Sequence, residues 1–150
     1  MTASPLRARI DEDVKTTMRA RDRERLLVLR TLTAALKQRE IDERIELTDT
    51  DVLAVLDKMV KQRREALEQY RGASREDLAA QEQAEIEILG AYLPEPLSEA
   101  ELDSLIAAAI DESGASSARD MGRVIGLLKP AVQGRADMAA VSRAVKARLS

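Results

Sequence analysis

The 150-residue chain contains no cysteine and no histidine. The first absence excludes disulfides, zinc ribbons and thiol nucleophiles, and the second removes the most common general base and metal ligand. Phenylalanine and tryptophan are also missing, so two tyrosines are the only aromatic residues. The core must therefore consist of aliphatic side chains, which favours packed helices over a β-sandwich.

Long apolar segments are missing as well. No window approaches the roughly 18 consecutive apolar residues that a membrane-spanning helix requires, and the N-terminal stretch has no apolar run typical of a signal peptide. We therefore expect no membrane association and a cytoplasmic location. Because no pattern marks a nucleotide, metal or cofactor site, the sequence predicts no cofactor, no metal ligand and no catalytic residue.

Apolar residues instead recur at the three- and four-residue spacing of helices along almost the whole chain. No stretch alternates apolar and polar residues for long enough to indicate a strand. The sequence therefore predicts an all-α fold. Its helices are expected to end near Ala20, Glu43, Tyr70, Leu93, Gly114, Lys129 and Leu149.

Residues that commonly cap helices precede most of these segments. Thr48 with Asp51, and Ser98 with Glu101, have the spacing of a capping box. Gly72 is expected to adopt the left-handed conformation that ends the third helix. Single capping residues are predicted before four other helices, at Ser4, Asp22, Ser74 and Asp137.

The segment "YLPEPLSEAEL" is the strongest internal boundary, because two prolines within three positions cannot continue a helix. We therefore predict two domains. Residues 1–93 would form an N-terminal helical domain of about four helices, and residues 94–150 a small C-terminal bundle of three helices.

Charge is distributed unevenly along the chain. Residues 114–150 contain seven basic and two acidic residues, a net charge of +5, whereas residues 1–113 carry 17 basic and 25 acidic residues, a net charge of −8. A basic segment can bind nucleic acid, although a charged helix surface that simply faces water is an equally good interpretation.

Two further features mark this basic segment. Gly122 and Gly126 lie one helical turn apart, and each costs roughly 1 kcal/mol relative to alanine inside a helix. Either another helix backbone or a ligand would therefore approach closely there. The following stretch "KPAVQGRAD" is predicted to end the sixth helix before Pro130 and to turn at Gly134.

The stretch "DMGRVIGLLKPAVQGRADMAAVSRAVKARLS" resembles the C-terminal signature of the GatB/YqeY family, which includes stand-alone YqeY-like proteins and the tail of the B subunit of glutamine-dependent aspartyl/glutamyl-tRNA amidotransferase. The segments "VLRTLTAALKQREID" and "LAVLDKMVKQRREALEQY" are similar to the stand-alone members. The resemblance covers about residues 10–149. It implies an all-helical fold and a tail that helps to hold tRNA and contains no catalytic residue.

The resemblance also implies which residues would contact nucleic acid. Its glycines would allow backbone approach, and its basic residues would contact phosphates. With the exposed basic residues of the last helix, the candidate site comprises Gly122, Arg123, Gly126, Lys129, Gly134, Arg135, Arg143 and Lys146. Two positions depart from the family pattern: Gln133 replaces an expected basic residue, and Met138 an expected glycine or proline.

Three functions remain open from the sequence. The first is a tRNA- or RNA-associated accessory protein, whose protein partners would belong to the translation or tRNA-aminoacylation machinery. The second is a carbon–nitrogen ligase with glutamine as amido-N donor, active only within a complex, because the chain lacks cysteine, histidine and an amidase segment. The third is a protein-interaction module that uses the stripe Leu89, Leu93 and Leu97.

Overall fold

The computed structural model describes residues 4–150, and within that range the chain is all-α, as the sequence predicted. Seven α-helices and one short 3₁₀ segment at Ala118–Asp120 follow one another without a strand among the described residues. The helices are α1 Pro5–Arg19, α2 Arg23–Glu43, α3 Asp49–Gly72, α4 Glu76–Gly90, α5 Glu99–Ser113, α6 Met121–Val132 and α7 Met138–Leu149.

Most predicted caps are confirmed. The Ser4 hydroxyl accepts a hydrogen bond from the Arg7 amide, and the carboxylates of Asp22 and Asp137 accept from the first turns of α2 and α7. Capping boxes at Thr48 and Ser98 begin α3 and α5. These local hydrogen bonds satisfy amide groups that would otherwise lack a partner at a helix N-terminus.

The connection between α3 and α4 differs from the prediction. Gly72 is still helical, and Ser74 adopts the left-handed conformation with φ of 59°. The Ser74 amide donates to the Arg71 carbonyl and the Arg75 amide to the Tyr70 carbonyl, which is the Schellman pattern that closes a helix C-terminus. Because Ser74 completes this closure, it does not cap α4. The N-cap residue of α4 is Arg75, whose side chain makes no capping hydrogen bond.

The chain divides into two compact units, one that ends at Leu93 and one that spans Pro94–Ser150. The N-terminal unit contains α1–α4 around an aliphatic core that includes Ile10, Leu29, Leu56 and Leu89. The C-terminal unit contains α5–α7 around a second, smaller core that includes Ile106, Val124 and Leu128. Each core is built from one stripe on each helix.

The predicted interaction stripe is largely used for packing within the two units. Leu89 is fully buried in the N-terminal core and Leu93 packs against that core, while Leu97 packs against the core of the C-terminal unit. Little of this stripe is therefore left for a partner helix, and a partner site there stays a prediction. The helical spacing of the stripe reflects the requirement of each unit for aliphatic packing, which a sequence pattern cannot distinguish from a binding surface.

Polar contacts join successive helices of the N-terminal unit. Ion pairs connect Arg7 of α1 with Glu40 of α2, Arg39 of α2 with Asp51 of α3 at 3.1 Å, and Arg63 of α3 with Glu85 of α4 at 3.1 Å. The hydroxyl of Tyr92, just after α4, donates a 2.6 Å hydrogen bond to Asp13 of α1. The Arg9 guanidinium lies 4.9 Å from the centroid of the Tyr92 ring.

The Tyr92 contact predicts a specific loss of stability in alkali. Burial, followed by the hydrogen bond to Asp13, raises the pKa of the Tyr92 hydroxyl to about 12 from the ordinary value of 10.0. The folded state therefore retains a proton that the unfolded chain releases. The contribution of the protonated Tyr92 hydroxyl to the free energy of unfolding is complete below pH 10 and is lost as the pH rises from about 10 to about 12. The loss should reach about 2 kcal/mol.

Urea unfolding of the wild type and Tyr92→Phe at several alkaline pH values measures this contribution. All other side chains are the same in the two proteins, so the difference in their free energies of unfolding isolates the Tyr92 hydroxyl. We expect the wild-type advantage to shrink across this pH range. An unchanged difference would show that the Tyr92 proton is not coupled to folding.

Candidate nucleic-acid interface

The site begins with the amphipathic helix α6. Val124, Leu128 and Val132 form its buried stripe, and α6 packs against both α5 and α7. The opposite side is exposed and has bare backbone at Gly122 and Gly126, beside the exposed side chain of Leu127. A methyl group added to either glycine would meet no atom within 4 Å. No helix of the described chain approaches them. The interpretation that the glycine pair admits another helix backbone is therefore wrong.

The sixth helix does not stop before Pro130, contrary to the prediction. It continues to Val132, with Pro130 inside its last turn, and the Gln133 amide donates to the Lys129 carbonyl at 3.0 Å. Proline has no amide to donate to the carbonyl of Gly126. Because Gly126 is exposed, water can bond to this carbonyl, and the helix loses little by running past the proline.

Arg123 lies on the exposed side of α6 next to Asp120. Its Nη2 is 2.6 Å from Asp120 Oδ1, and 63% of the arginine side chain remains exposed. The other carboxylate oxygen accepts hydrogen bonds from the amides of Ser116 and Ser117. The Ser116 amide, then Arg123, lowers the pKa of Asp120. The carboxylate therefore fixes the turn before α6 and orients Arg123, while it offsets part of the arginine charge.

Three other cations of α6 and α7 are unpaired within the described residues, whereas Arg148 of α7 pairs with Asp103 at 3.2 Å. Lys129 is exposed in the last turn of α6, where a positive charge also complements the helix dipole. Arg143 and Lys146 are exposed on α7, away from its buried stripe of Val141, Val145 and Leu149. Within residues 4–150, none of these three cations forms an ion pair. Two packed helices thus present cations to solvent.

The loop between α6 and α7 positions the remaining candidates. Gly134 has φ of 78°, a left-handed conformation that glycine adopts without strain and that other residues resist, as predicted. The Arg135 and Ala136 amides both donate to the Val132 carbonyl. Gln133 is only 6% exposed. The position at which a basic residue was expected therefore carries a buried, neutral side chain.

Arg135 has a structural role that the sequence did not reveal. Its Nε donates a 2.8 Å hydrogen bond to the Glu95 carbonyl, and its own carbonyl accepts a 2.8 Å bond from the Leu97 amide. These two bonds tie the segment before α5 to the loop after α6. Glu95 is 40 residues away in sequence, so no local pattern could have indicated the contact.

Six of the predicted site residues are therefore exposed on two helices that pack against each other. Gly122, Arg123, Gly126 and Lys129 are exposed on one helix, and Arg143 and Lys146 are exposed on its neighbour. Gly134 and Arg135 shape the connection between those helices. Among residues 4–150, no cluster of acidic side chains is arranged to hold a metal ion, and no helix is long and apolar enough to cross a bilayer.

Comparison with known proteins gives a family match. The family model described as "Yqey-like protein" matches residues 7–149. The chain is 30% identical over 132 residues to altered inheritance of mitochondria protein 41, mitochondrial, of Pyrenophora tritici-repentis, an alignment that covers 85% of this chain and 71% of that protein.

Two further relatives are also fungal. The chain is 34% identical over 93 residues to an uncharacterized protein of Schizosaccharomyces pombe, with 62% of this chain and 76% of the relative covered. It is 34% identical over 87 residues to altered inheritance of mitochondria protein 41, mitochondrial, of Eremothecium gossypii, with 57% of this chain and 48% of the relative covered.

The exposed glycines of α6 predict an unusual gain in stability. Replacing Gly122 or Gly126 by alanine should stabilise the C-terminal unit by up to about 1 kcal/mol each, because alanine has the higher helix propensity and nothing obstructs the new methyl group. Gly134→Ala is the matched control and should destabilise this unit by roughly 1 kcal/mol, because φ at Gly134 is positive.

Urea unfolding can assign these effects to one unit. Tyr70 and Tyr92 both lie in the N-terminal unit, so tyrosine fluorescence follows that unit, whereas far-ultraviolet circular dichroism follows both. The alanine variants should shift the unfolding transition of the C-terminal unit, which circular dichroism detects and tyrosine fluorescence does not. The transition seen by fluorescence should stay unchanged. Destabilisation by Gly122→Ala or Gly126→Ala would contradict the open surface on α6.

Proposed function

The chain belongs to the YqeY-like family, and from the exposed cations of its C-terminal unit we propose that it is an RNA-associated accessory protein that binds tRNA or another structured RNA through α6 and α7. The observation that supports this proposal is the bare backbone of α6 at Gly122 and Gly126, beside Arg123 and Lys129. A phosphate backbone can approach such a surface closely while the cations neutralise it.

The class of RNA follows from what the C-terminal unit contains. Neither tyrosine lies in this unit, so it has no aromatic ring on which an unpaired base could stack. Recognition would therefore depend on phosphates and on the shape of a folded RNA. The relatives' names refer to mitochondrial inheritance and make no statement about RNA, so the proposal rests on the chemistry of this surface.

The residues would have different roles. We assign phosphate contacts to Arg123, Lys129, Arg143 and Lys146, and close backbone approach to Gly122 and Gly126. Gly134 and Arg135 would act next to them: the loop glycine permits the turn, and the arginine adds positive charge while its Nε remains bonded to Glu95. Protein partners would come from the translation or tRNA-aminoacylation machinery.

The proposal also includes where and how the protein acts. It would act in the cytoplasm, which cell fractionation with an antibody against the chain can test. A carbon–nitrogen ligase role would require a complex that supplies the reactive groups, because the chain contains no cysteine or histidine. We therefore propose binding, and no chemical step, for this chain.

Salt-dependent RNA binding tests the assigned cations. Titration of labelled tRNA into the full chain, followed by fluorescence anisotropy at several salt concentrations, should give a plot of log K against log salt with a slope of about −3 for four phosphate contacts. Arg123→Ala/Lys129→Ala should weaken binding by at least about tenfold and make the slope shallower by about 2.

Arg64→Ala/Arg71→Ala is the matched control, because it removes two exposed arginines from α3 of the N-terminal unit. It should leave affinity and slope unchanged. Gly122→Ala/Gly126→Ala should weaken tRNA binding although it stabilises the fold, which separates backbone approach from unfolding. An affinity that does not depend on salt would refute this assignment. An equal loss of affinity in Arg123→Ala/Lys129→Ala and Arg64→Ala/Arg71→Ala would refute it as well.

A further inference from the structure

A second surface lies on α2 of the N-terminal unit. Leu27 and Ile41 are 68% and 65% exposed, and the exposed Ala34 lies midway between them at seven-residue spacing. Residues seven apart fall on nearly the same side of a helix. The buried residues of α2, by contrast, are Val28, Leu29, Leu32 and Leu36. The helix is therefore apolar on two opposite sides, and only one side reaches the core.

A basic row runs along one edge of this apolar surface. Arg23, Arg30 and Lys37 also repeat every seven residues, three or four positions from the apolar residues, and all three are exposed. Within residues 4–150, their side chains form no ion pair or hydrogen bond. We call these three cations together with Leu27, Ala34 and Ile41 the outer face of α2.

Polar side chains along the other edge of the outer face already have hydrogen-bond partners. The Thr31 hydroxyl donates to the Leu27 carbonyl at 3.0 Å, and the Gln38 amide donates to Asp42 at 2.8 Å. These groups would need no new partner if the surface were covered. Beside them, a groove of about 480 Å³ between α2 and α3 includes Val55 and Met59 in its wall. A side chain from a partner could enter this groove.

We propose that the outer face of α2 binds an amphipathic helix of a partner protein, whose apolar residues repeat at heptad spacing and are flanked by acidic residues. The apolar residues would pack on Leu27, Ala34 and Ile41, while the acidic residues would pair with the basic row. This surface and its ligand are distinct from the RNA-binding surface proposed on α6 and α7.

Charge complementarity selects this occupant over two others. A second copy of the chain would bring the same basic row: in the antiparallel arrangement centred on Ala34, Leu27 meets Ile41, but Arg30 then lies near Lys37 of the other copy. Like charges there would oppose pairing. An RNA would pair with the cations but leave two large apolar side chains against phosphates, which have no apolar surface to offer.

A pair of synthetic peptides tests the proposal. Both contain about three heptads with leucine at the a and d positions; one has glutamate at the e and g positions, and the other has lysine. Fluorescence anisotropy against the full chain should show saturable binding of the glutamate peptide only. Leu27→Gln/Ile41→Gln and Arg30→Glu/Lys37→Glu should each weaken that binding by at least about tenfold.

Arg64→Glu/Arg71→Glu is the matched control, because these exposed α3 arginines have the same seven-residue spacing. It should change the affinity by less than about twofold, since exposed charges away from an interface contribute little. Circular dichroism should confirm that all variants fold. No saturable binding of the glutamate peptide, equal binding of both peptides, or an equal loss in the control would overturn the proposal.

Two further measurements would overturn it in favour of another occupant. A concentration-dependent dimer that Leu27→Gln/Ile41→Gln abolishes would assign the face to a second copy. Loss of tRNA binding in Arg30→Glu/Lys37→Glu, but not in Leu27→Gln/Ile41→Gln, would assign it to nucleic acid. The α6 variants Arg123→Ala/Lys129→Ala and Gly122→Ala/Gly126→Ala should bind the glutamate peptide with wild-type affinity. The RNA proposal and this one can then fail independently of each other.

Discussion

The C-terminal unit depends on the burial of one side of α6 against both α5 and α7. Val124, Leu128 and Val132 contribute aliphatic surface to a core that contains no aromatic ring, so this stripe carries much of the unit's hydrophobic stabilisation. Its burial fixes the rotation of α6 about its axis. The opposite side, with Gly122 and Gly126, must then face solvent, where glycine reduces helix stability without relieving any steric conflict in the described chain.

Arg135 extends this constraint to the start of the unit. Its backbone carbonyl and its guanidinium both bond to the segment before α5, at Leu97 and Glu95. The same residue therefore holds the α6–α7 loop and the entrance to α5 in one arrangement. Any substitution of Arg135 would disturb this arrangement, and would therefore affect RNA binding even if Arg135 touched no phosphate. Substitutions of Arg123 and Lys129 test the proposed phosphate contacts more directly.

Much of the fold could be predicted because its signals are local. Caps at Ser4, Asp22, Thr48 and Ser98 depend on residues within four positions, and the aliphatic stripes recur at helical spacing. The misplaced features depend on context. At Ser74, a closing hydrogen-bond pattern determines the conformation, and at Pro130, solvent exposure makes a missing amide inexpensive. The same limit applies to the candidate site. Its residue types could be read from the sequence, but the contact between Arg135 and Glu95 could not.

The exposed cations of α2 and α6 differ in their neighbours more than in their charge. On α6, two glycines and Leu127, which is 44% exposed, lie beside Arg123, so the surface offers bare backbone and positive charge with only one large apolar side chain. On α2, Leu27 and Ile41 lie beside the basic row, so covering that surface would remove a large apolar area from water. A phosphate backbone gains from the first arrangement, and an acidic amphipathic helix gains from the second. Neighbouring side-chain volume, rather than net charge, therefore distinguishes the two proposed classes of partner.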